Sequence, residues 1–503
     1  MNASPSSFTL PFAANSDALC TTSAAVNWIG GAFVAPQADH GRLPIHNPRH
    51  GAVMAEVHLS DRADVDAAVA AAQAALPAWR ALPVRDRAQV MFRLRELMHR
   101  ELDALTWLVS HENGKIYAEA RAEVEKAIEC VEFGCSLGNM GVGEQLDVSK
   151  GVNCQTTQEP LGVVAGVTPF NFPLMVPLWM LPQALVGGNA FILKPSERVP
   201  LSTQRLAVLL QQAGLPDGIF NIVNGAQAVV EALCDHPTIK AVGFVGSTKV
   251  AKLVYGRAAA TGKRALCLGG AKNHLIVVPD ADVALSAENI VASFSGCAGQ
   301  RCMAASVLVA VGDCDKVIDA VVAKAGQIRM GAELGPVISA AAHARIKGYI
   351  DGAEKMGAVV RVDGRGASAD PGGWWVGPTI LDRVSPDMPA GCEEIFGPVL
   401  SIVRVNTLDE AIAIENNNPY GNASSVYTTS GAVARYVMSK VDAGMCGVNV
   451  GVPVPREPFG FGGWNDSKFG HGNMTGWDGY LFWTRPRKVT SKWALQADWT
   501  WMS

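Results

Sequence analysis

Apolar positions recur at helical spacing early in the chain. Val65, Val69, Ala72 and Leu76 follow Ser60 and Asp61, so an amphipathic helix opens there. A second run through Val90, Leu94, Leu97 and Met98 predicts another helix, and Leu105 falls two turns further along the same face. From residue 162 the pattern changes to short apolar runs between helical stretches. Strands are expected over residues 162–168, 190–193, 220–223 and 241–245, and helices over 174–186, 203–212 and from 248 to about 260. A second alternation follows, with strands over 274–278, 307–311, 399–405 and 448–450 around a helix and a Gly-rich cysteine loop. Such alternation implies α/β architecture with parallel sheets covered on both faces, the doubly wound arrangement. Residues 477–493 mix aromatic, basic and β-branched side chains and predict an exposed strand that pairs outside the main body. There is no internal repeat.

With 503 residues, the chain is too long for one core, and two or three packed units are expected. The uncharged stretch 161–193 is long enough to span a bilayer, but Pro169, Pro173, Pro177 and Pro182 interrupt it, so buried strand, loop and helix fit better. Lys and Arg number 42 against 46 Asp and Glu, a net charge of −4 with no basic stripe, which excludes a nucleic-acid footprint. The 11 cysteines form no CxxC pair, which points to a reducing compartment, the cytoplasm. His46 and His50 are separated by Pro48, so no metal pair is expected there. Residues 1–25 are read as a loosely ordered extension, because no Lys or Arg appears before Arg42 to make a signal or transit peptide.

Five segments could carry chemistry. In Gly296-Cys297-Ala298-Gly299-Gln300-Arg301-Cys302-Met303, small residues surround a thiol, and a thiolate is a strong nucleophile toward a carbonyl. Two buried structural cysteines fit the loop equally well. Thr168-Pro169-Phe170-Asn171-Phe172-Pro173 lies at the carboxyl end of a strand, where Asn171 can offer an N–H to an oxyanion or simply form a turn. Lys194-Pro195-Ser196-Glu197 can grip a ribose diol, with a carboxylate that repels a 2′-phosphate, or be an ordinary charged turn. Gly246-Ser247-Thr248 joins strand to helix and suits a pyrophosphate, though it lacks the full GxGxxG pattern. Glu393-Glu394-Ile395-Phe396-Gly397-Pro398, read alone, is as consistent with a solvated loop.

Together, in this order and spacing, the five resemble the NAD(P)-dependent aldehyde dehydrogenase superfamily over about residues 27–493. Ala271-Lys272-Asn273-His274, the loop through Cys302, and the tail containing Gly462-Gly463-Trp464 and Thr475-Gly476-Trp477 are similar to its CoA-acylating methylmalonate-semialdehyde dehydrogenase branch. The resemblance implies the aldehyde dehydrogenase fold. Its NAD-binding domain would take 26–140 and 159–265, its catalytic domain 266–473, and a small β oligomerisation arm 141–158 and 474–503.

The resemblance further implies Cys302 as nucleophile and Asn171 as oxyanion donor. NAD contacts would come from Thr168, Pro169, Phe170, Lys194, Ser196, Glu197, Gly225, Gly246, Ser247, Glu394 and Phe396. Arg301 and Arg121 would bind the substrate carboxylate, although a loop brace and a surface pair with Glu125 are their structural alternatives. The implied partners are a semialdehyde, NAD, CoA and further copies of the chain as dimer or tetramer. Most members begin the segment before residues 274–278 with Glu-Leu-Gly-Gly, the Glu activating water. Here it reads Cys267-Leu268-Gly269-Gly270, which favours a thiol as second nucleophile. A non-acylating dehydrogenase releasing a free acid and a silent NAD-binding paralogue are the competing readings. The segment between Arg329 and Pro336 is shorter than the family usual and reads as a trimmed surface loop.

Overall fold

The computed structural model describes residues 24–140 and 143–493. Two sheets dominate it. The first has eight strands, of which Phe220–Ile222, Ala190–Lys194, Val163–Val167, Ile239–Val245 and Arg264–Leu268 are parallel neighbours in that order. Asn27–Ile29 and then the edge strand Ala32–Val34 extend it on one side and Lys468–Phe469 on the other, all in antiparallel register. Every residue of Val163–Val167 and Ala190–Lys194 is buried, as expected of parallel strands covered on both faces. The second sheet has seven strands, in which Thr379–Asp382, Val399–Val405, Ala305–Val311, Asn273–Val277, Ala423–Tyr427 and Met445–Val448 run parallel. The strand ends of these two sheets carry the chemistry described below. A three-stranded antiparallel sheet of Glu144–Ser149, Val152–Pro160 and Thr484–Lys492 forms a separate ribbon.

The first helix, Arg62–Ala81, starts where the sequence places it, with Asp61 as N-cap and a reciprocal bond to Asp64. Three expectations need correction. The run through Val90 to Leu105 is two helices, Val84–Arg100 and Leu102–Asn113. The chain turns at Glu101, and Leu105 reaches the same core from the second of them. The strand expected over 448–450 is Met445–Val448, because Asn449 adopts φ 56° and leaves the extended region.

Residues 477–493 are only partly a strand. Gly476–Trp483 is a helix, and Trp477, Tyr480 and Trp483 are spaced at three rather than two residues. Tyr480 and Trp483 are fully buried, Trp483 lying edge-on to Phe191, before Thr484–Lys492 pairs with Val152–Pro160. The extension assigned to residues 1–25 lies outside the described residues except at its end, where Ala25 is buried and donates to Glu56 O at 2.6 Å. The short segment after Arg329 closes as a tight turn, Gly331 (φ 80°) donating to Leu334 O. No helix among the described residues is long and apolar enough to cross a membrane.

Candidate active site

A cavity of about 1200 Å³ runs along the carboxyl ends of the first sheet's strands to the cysteine loop. Thr168, Pro169, Phe170 and Asn171 line it where Val163–Val167 ends; Lys194, Ser196 and Glu197 line it where Ala190–Lys194 ends. Gly246 and Ser247 follow Ile239–Val245, and Ser247 is the N-cap of the helix Thr248–Ala260, whose positive end suits an anionic group. Cys302, Glu394 and Phe396 line the same cavity from the other half of the chain.

The sulfur and the amide expected to act together therefore share one cavity. Asn171 is buried, and its Nδ2 donates to Gln300 O at 2.9 Å, which ties it to the cysteine loop. Cys302 is anchored through its carbonyl, which accepts from Asn273 Nδ2 and Asn422 Nδ2, each at 2.8 Å. Burial pushes the Cys302 thiol up to about 12 and Glu394 adds to the rise, against its own and Met303's backbone N–H groups and Arg301. The free thiol is thus protonated near neutral pH.

The loop before it is strained. Cys297 and Ala298 both adopt left-handed φ, 51° and 53°, a conformation costing a β-carbon residue roughly 1–2 kcal/mol. Gly299 follows at φ 68°, where a Cβ would sit 2.0 Å from Gly397 O, so no other residue fits.

At the cofactor end, Lys194 Nζ lies 3.0 Å from Glu197 Oε2. Burial would raise the Glu197 carboxyl, but Lys194 and a backbone N–H hold it below the ordinary value, so it is anionic. Glu394 accepts from Ala271 N–H at 2.9 Å, and burial raises its carboxyl. Phe396 stands edge-on to Phe170, centroids 5.9 Å apart.

Three expected residues stand elsewhere. Gly225 does not line the cavity; a Cβ there would sit 2.4 Å from Val229 Cγ2, so it permits close packing of the helix Gln227–Asp235. Arg121 lies on Tyr117–Ser136 with its side chain 43% exposed, paired with Glu125 at 3.0 Å and Asp103 at 3.1 Å. The Arg301 guanidinium is packed behind the loop, 2.5 Å from where a Cβ on Gly296 would be and 3.5 Å from Glu119.

Sequence reasoning also missed contributors. Val250 and Leu253 line the cavity although they are exposed, on the helix Thr248–Ala260. Apolar residues three apart on a solvent face were the available signal. Arg345, which donates to Ile395 O at 2.6 Å, lines it too, with no motif to announce it.

Residues 33–489 match the profile of the aldehyde dehydrogenase family. The chain belongs to the aldehyde dehydrogenase family. It is 47% identical over 476 residues to malonate-semialdehyde dehydrogenase 1 of Geobacillus thermodenitrificans, covering 93% of this chain and 98% of that one. The malonate-semialdehyde dehydrogenase of Halalkalibacterium halodurans is 44% identical over the same shares. Among solved structures, this dehydrogenase is similar to the methylmalonate-semialdehyde dehydrogenase of Oceanimonas doudoroffii, with TM-score 0.92, 41% identity, and 94% of this chain and 99% of that one covered. A Sinorhizobium meliloti protein described as a methylmalonate-semialdehyde dehydrogenase and solved with NAD matches with the same values. The chain is accordingly an aldehyde oxidoreductase of the aldehyde dehydrogenase fold.

Proposed function

We propose that this dehydrogenase oxidises malonate or methylmalonate semialdehyde with NAD and delivers the decarboxylated acyl group to CoA. The products are acetyl-CoA or propionyl-CoA, CO₂ and NADH. The observation that carries the reading is the pairing of Cys302 with Asn171 in one cavity while Cys267 occupies the position of the water-activating Glu. The names of the relatives supply the substrate class.

The cavity suits a dinucleotide. Lys194 and Glu197 can take the adenosine ribose hydroxyls, and the anionic Glu197 disfavours a 2′-phosphate. The N-terminus at Ser247 suits the pyrophosphate, and Glu394 with Phe396 stands at the nicotinamide end beside Cys302. NAD held there supplies a hydride acceptor.

The protein's own residues do the rest. The Cys302 sulfur bonds to the aldehyde carbon as its proton passes to solvent water, and the Asn171 side chain with the Cys302 N–H receives the oxyanion, each donor typically worth roughly 3–4 kcal/mol. Loss of the aldehyde hydrogen as hydride leaves a thioester on Cys302. The β-carboxylate leaves as CO₂, and the electron pair of that C–C bond becomes an enolate that the same donors can hold until a proton arrives. The CoA thiolate then takes the acyl carbon and expels Cys302 as its thiolate. Cys267 is buried in Arg264–Leu268 with its thiol held high by burial and by Cys234, and does not line the cavity, so it offers water no base.

Arg301 is assigned to the substrate carboxylate because it adjoins Cys302 in the loop and a guanidinium can hold a carboxylate in a two-bond fork. To serve, it must exchange its Glu119 pairing for the substrate. Arg301→Leu should raise KM for the semialdehyde far more than for propanal; steady-state KM values rising equally for both would remove the assignment. Arg121, in its surface pairs, is the weaker candidate for this role.

Assembly as dimer or tetramer is assigned to the ribbon. All six residues of its edge strand Glu144–Ser149 are exposed, Leu146 and Val148 among them, an open edge that pairing between copies would cover. A soluble cytoplasmic enzyme of small molecules fits these features.

Product identification tests the whole reading. Incubation with NAD, CoA and each semialdehyde should yield acetyl-CoA or propionyl-CoA and CO₂, and free malonate or methylmalonate instead would overturn it.

A further inference from the structure

One short stretch of chain, residues 113–123, grips both loops of the site. Glu119 and Glu123 are one turn apart on the helix Tyr117–Ser136, so they share a face. Glu119 Oε1 accepts the Cys297 N–H at 2.6 Å, at the first residue of the left-handed pair that precedes Cys302. Glu123 reaches the other loop, accepting Leu174 N–H at 3.0 Å and Met175 N–H at 3.2 Å. Its second oxygen pairs with Lys115, both side chains buried. Lys115 Nζ in turn lies 3.7 Å from the Phe172 ring centroid, and Asn113 Nδ2 donates to Phe170 O at 2.9 Å. Asn171 is thus held from both sides, and the approach to Cys302 from one, by the same element. Neither Glu119 nor Glu123 lines the cavity.

A strained turn persists only where its surroundings over-determine it, and a carboxylate on the Cys297 N–H is a charge-assisted bond that does so. Releasing it would let Cys297 and Ala298 relax and shift the sulfur relative to the amide. We propose that Glu119 and Glu123 are positioning residues: through residues 113–123 they set the separation between the Cys302 sulfur and the Asn171 amide. They would act on the oxyanion-forming step without touching substrate or cofactor. This inference rests on the roles of Cys302 and Asn171 given above.

The test is the first-turnover burst of NADH with NAD and propanal and no CoA; an uncharged aldehyde keeps Arg301, the other partner of Glu119, out of the readout. Glu119→Ala should slow the burst by about 10- to 100-fold, as for a displacement near 1 Å, with KM for NAD and propanal within roughly threefold. Glu119→Gln keeps an acceptor for the Cys297 N–H and should restore the rate to within roughly threefold of wild type. In the Asn171→Ala background, Glu119→Ala should cost less than about threefold, because the amide it positions is already gone.

Equal costs in both backgrounds, or an effect confined to KM, would overturn the proposal. If Glu119→Ala does not fold, Asn113→Ala, which loses only the hold on Phe170 O, takes its place in both backgrounds: a smaller cost without the Asn171 amide supports the proposal, and an equal cost overturns it. A wild-type enzyme with no burst would sink the cysteine reading and this inference with it. A normal wild-type burst that Glu119→Ala leaves unchanged would sink the inference alone.

Discussion

Cys302→Ala should abolish NADH formation, with a loss of at least about 10⁴-fold in turnover. The sulfur makes the only bond to the aldehyde carbon in the proposed chemistry, and no hydride can leave until that carbon is tetrahedral. Cys297, five residues earlier, cannot stand in. It is buried outside the cavity, and burial holds its thiol above the ordinary value despite Arg301 and Lys115. Removing one small side chain from a cavity wall should leave the fold and NAD affinity nearly unchanged. The measurement is NADH absorbance with NAD, CoA and semialdehyde, beside NAD binding by fluorescence. Turnover retained with normal binding would displace Cys302 from its role.

Leaving out CoA should stop the wild-type enzyme after at most one NADH per site. The proposed thioester on Cys302 needs a second nucleophile, and water is a poor one without a carboxylate to take its proton. Cys267 stands where that carboxylate would be, buried and with its thiol raised further by desolvation. Glu394 is the carboxylate whose charge is felt at the sulfur, but it is engaged with the Ala271 N–H. Rapid mixing should show a burst without a steady phase, and adding CoA should restore turnover. A steady phase without CoA would instead favour hydrolysis to a free acid, with Glu394 as the base to mutate next.

Much of the parallel core was legible because its strands are buried on both faces. Residues 162–167 read as an unbroken apolar run and 399–405 as one interrupted only by Ser401 and Arg404, and the structure places strands at Val163–Val167 and Val399–Val405. The failures were also local. Glu101 carries no Gly or Pro to announce a turn, so two helices read as one. Trp477, Tyr480 and Trp483 look like strand aromatics until their three-residue spacing is weighed against the buried faces they fill. Within the site, the residue types were readable where motifs concentrate them, as at 168–173 and 299–302. Arg345 and Asn422 were not, because each acts through one side chain set in an otherwise ordinary element.

The amino-acid order alone determined the succession of strands and helices and the presence of a thiol, an amide and a Lys–Glu pair at strand or loop ends. Those are properties of neighbours in the chain, where periodicity and turn chemistry act over a few residues. Only the folded structure decided that Asn171 meets Gln300 across 129 positions and that Glu119 meets Cys297 across 178. It also turned Arg301 toward Glu119 and left Arg121 at the surface. Such contacts are set by how elements far apart in the chain pack together, and no local pattern encodes which distant partner a side chain will find.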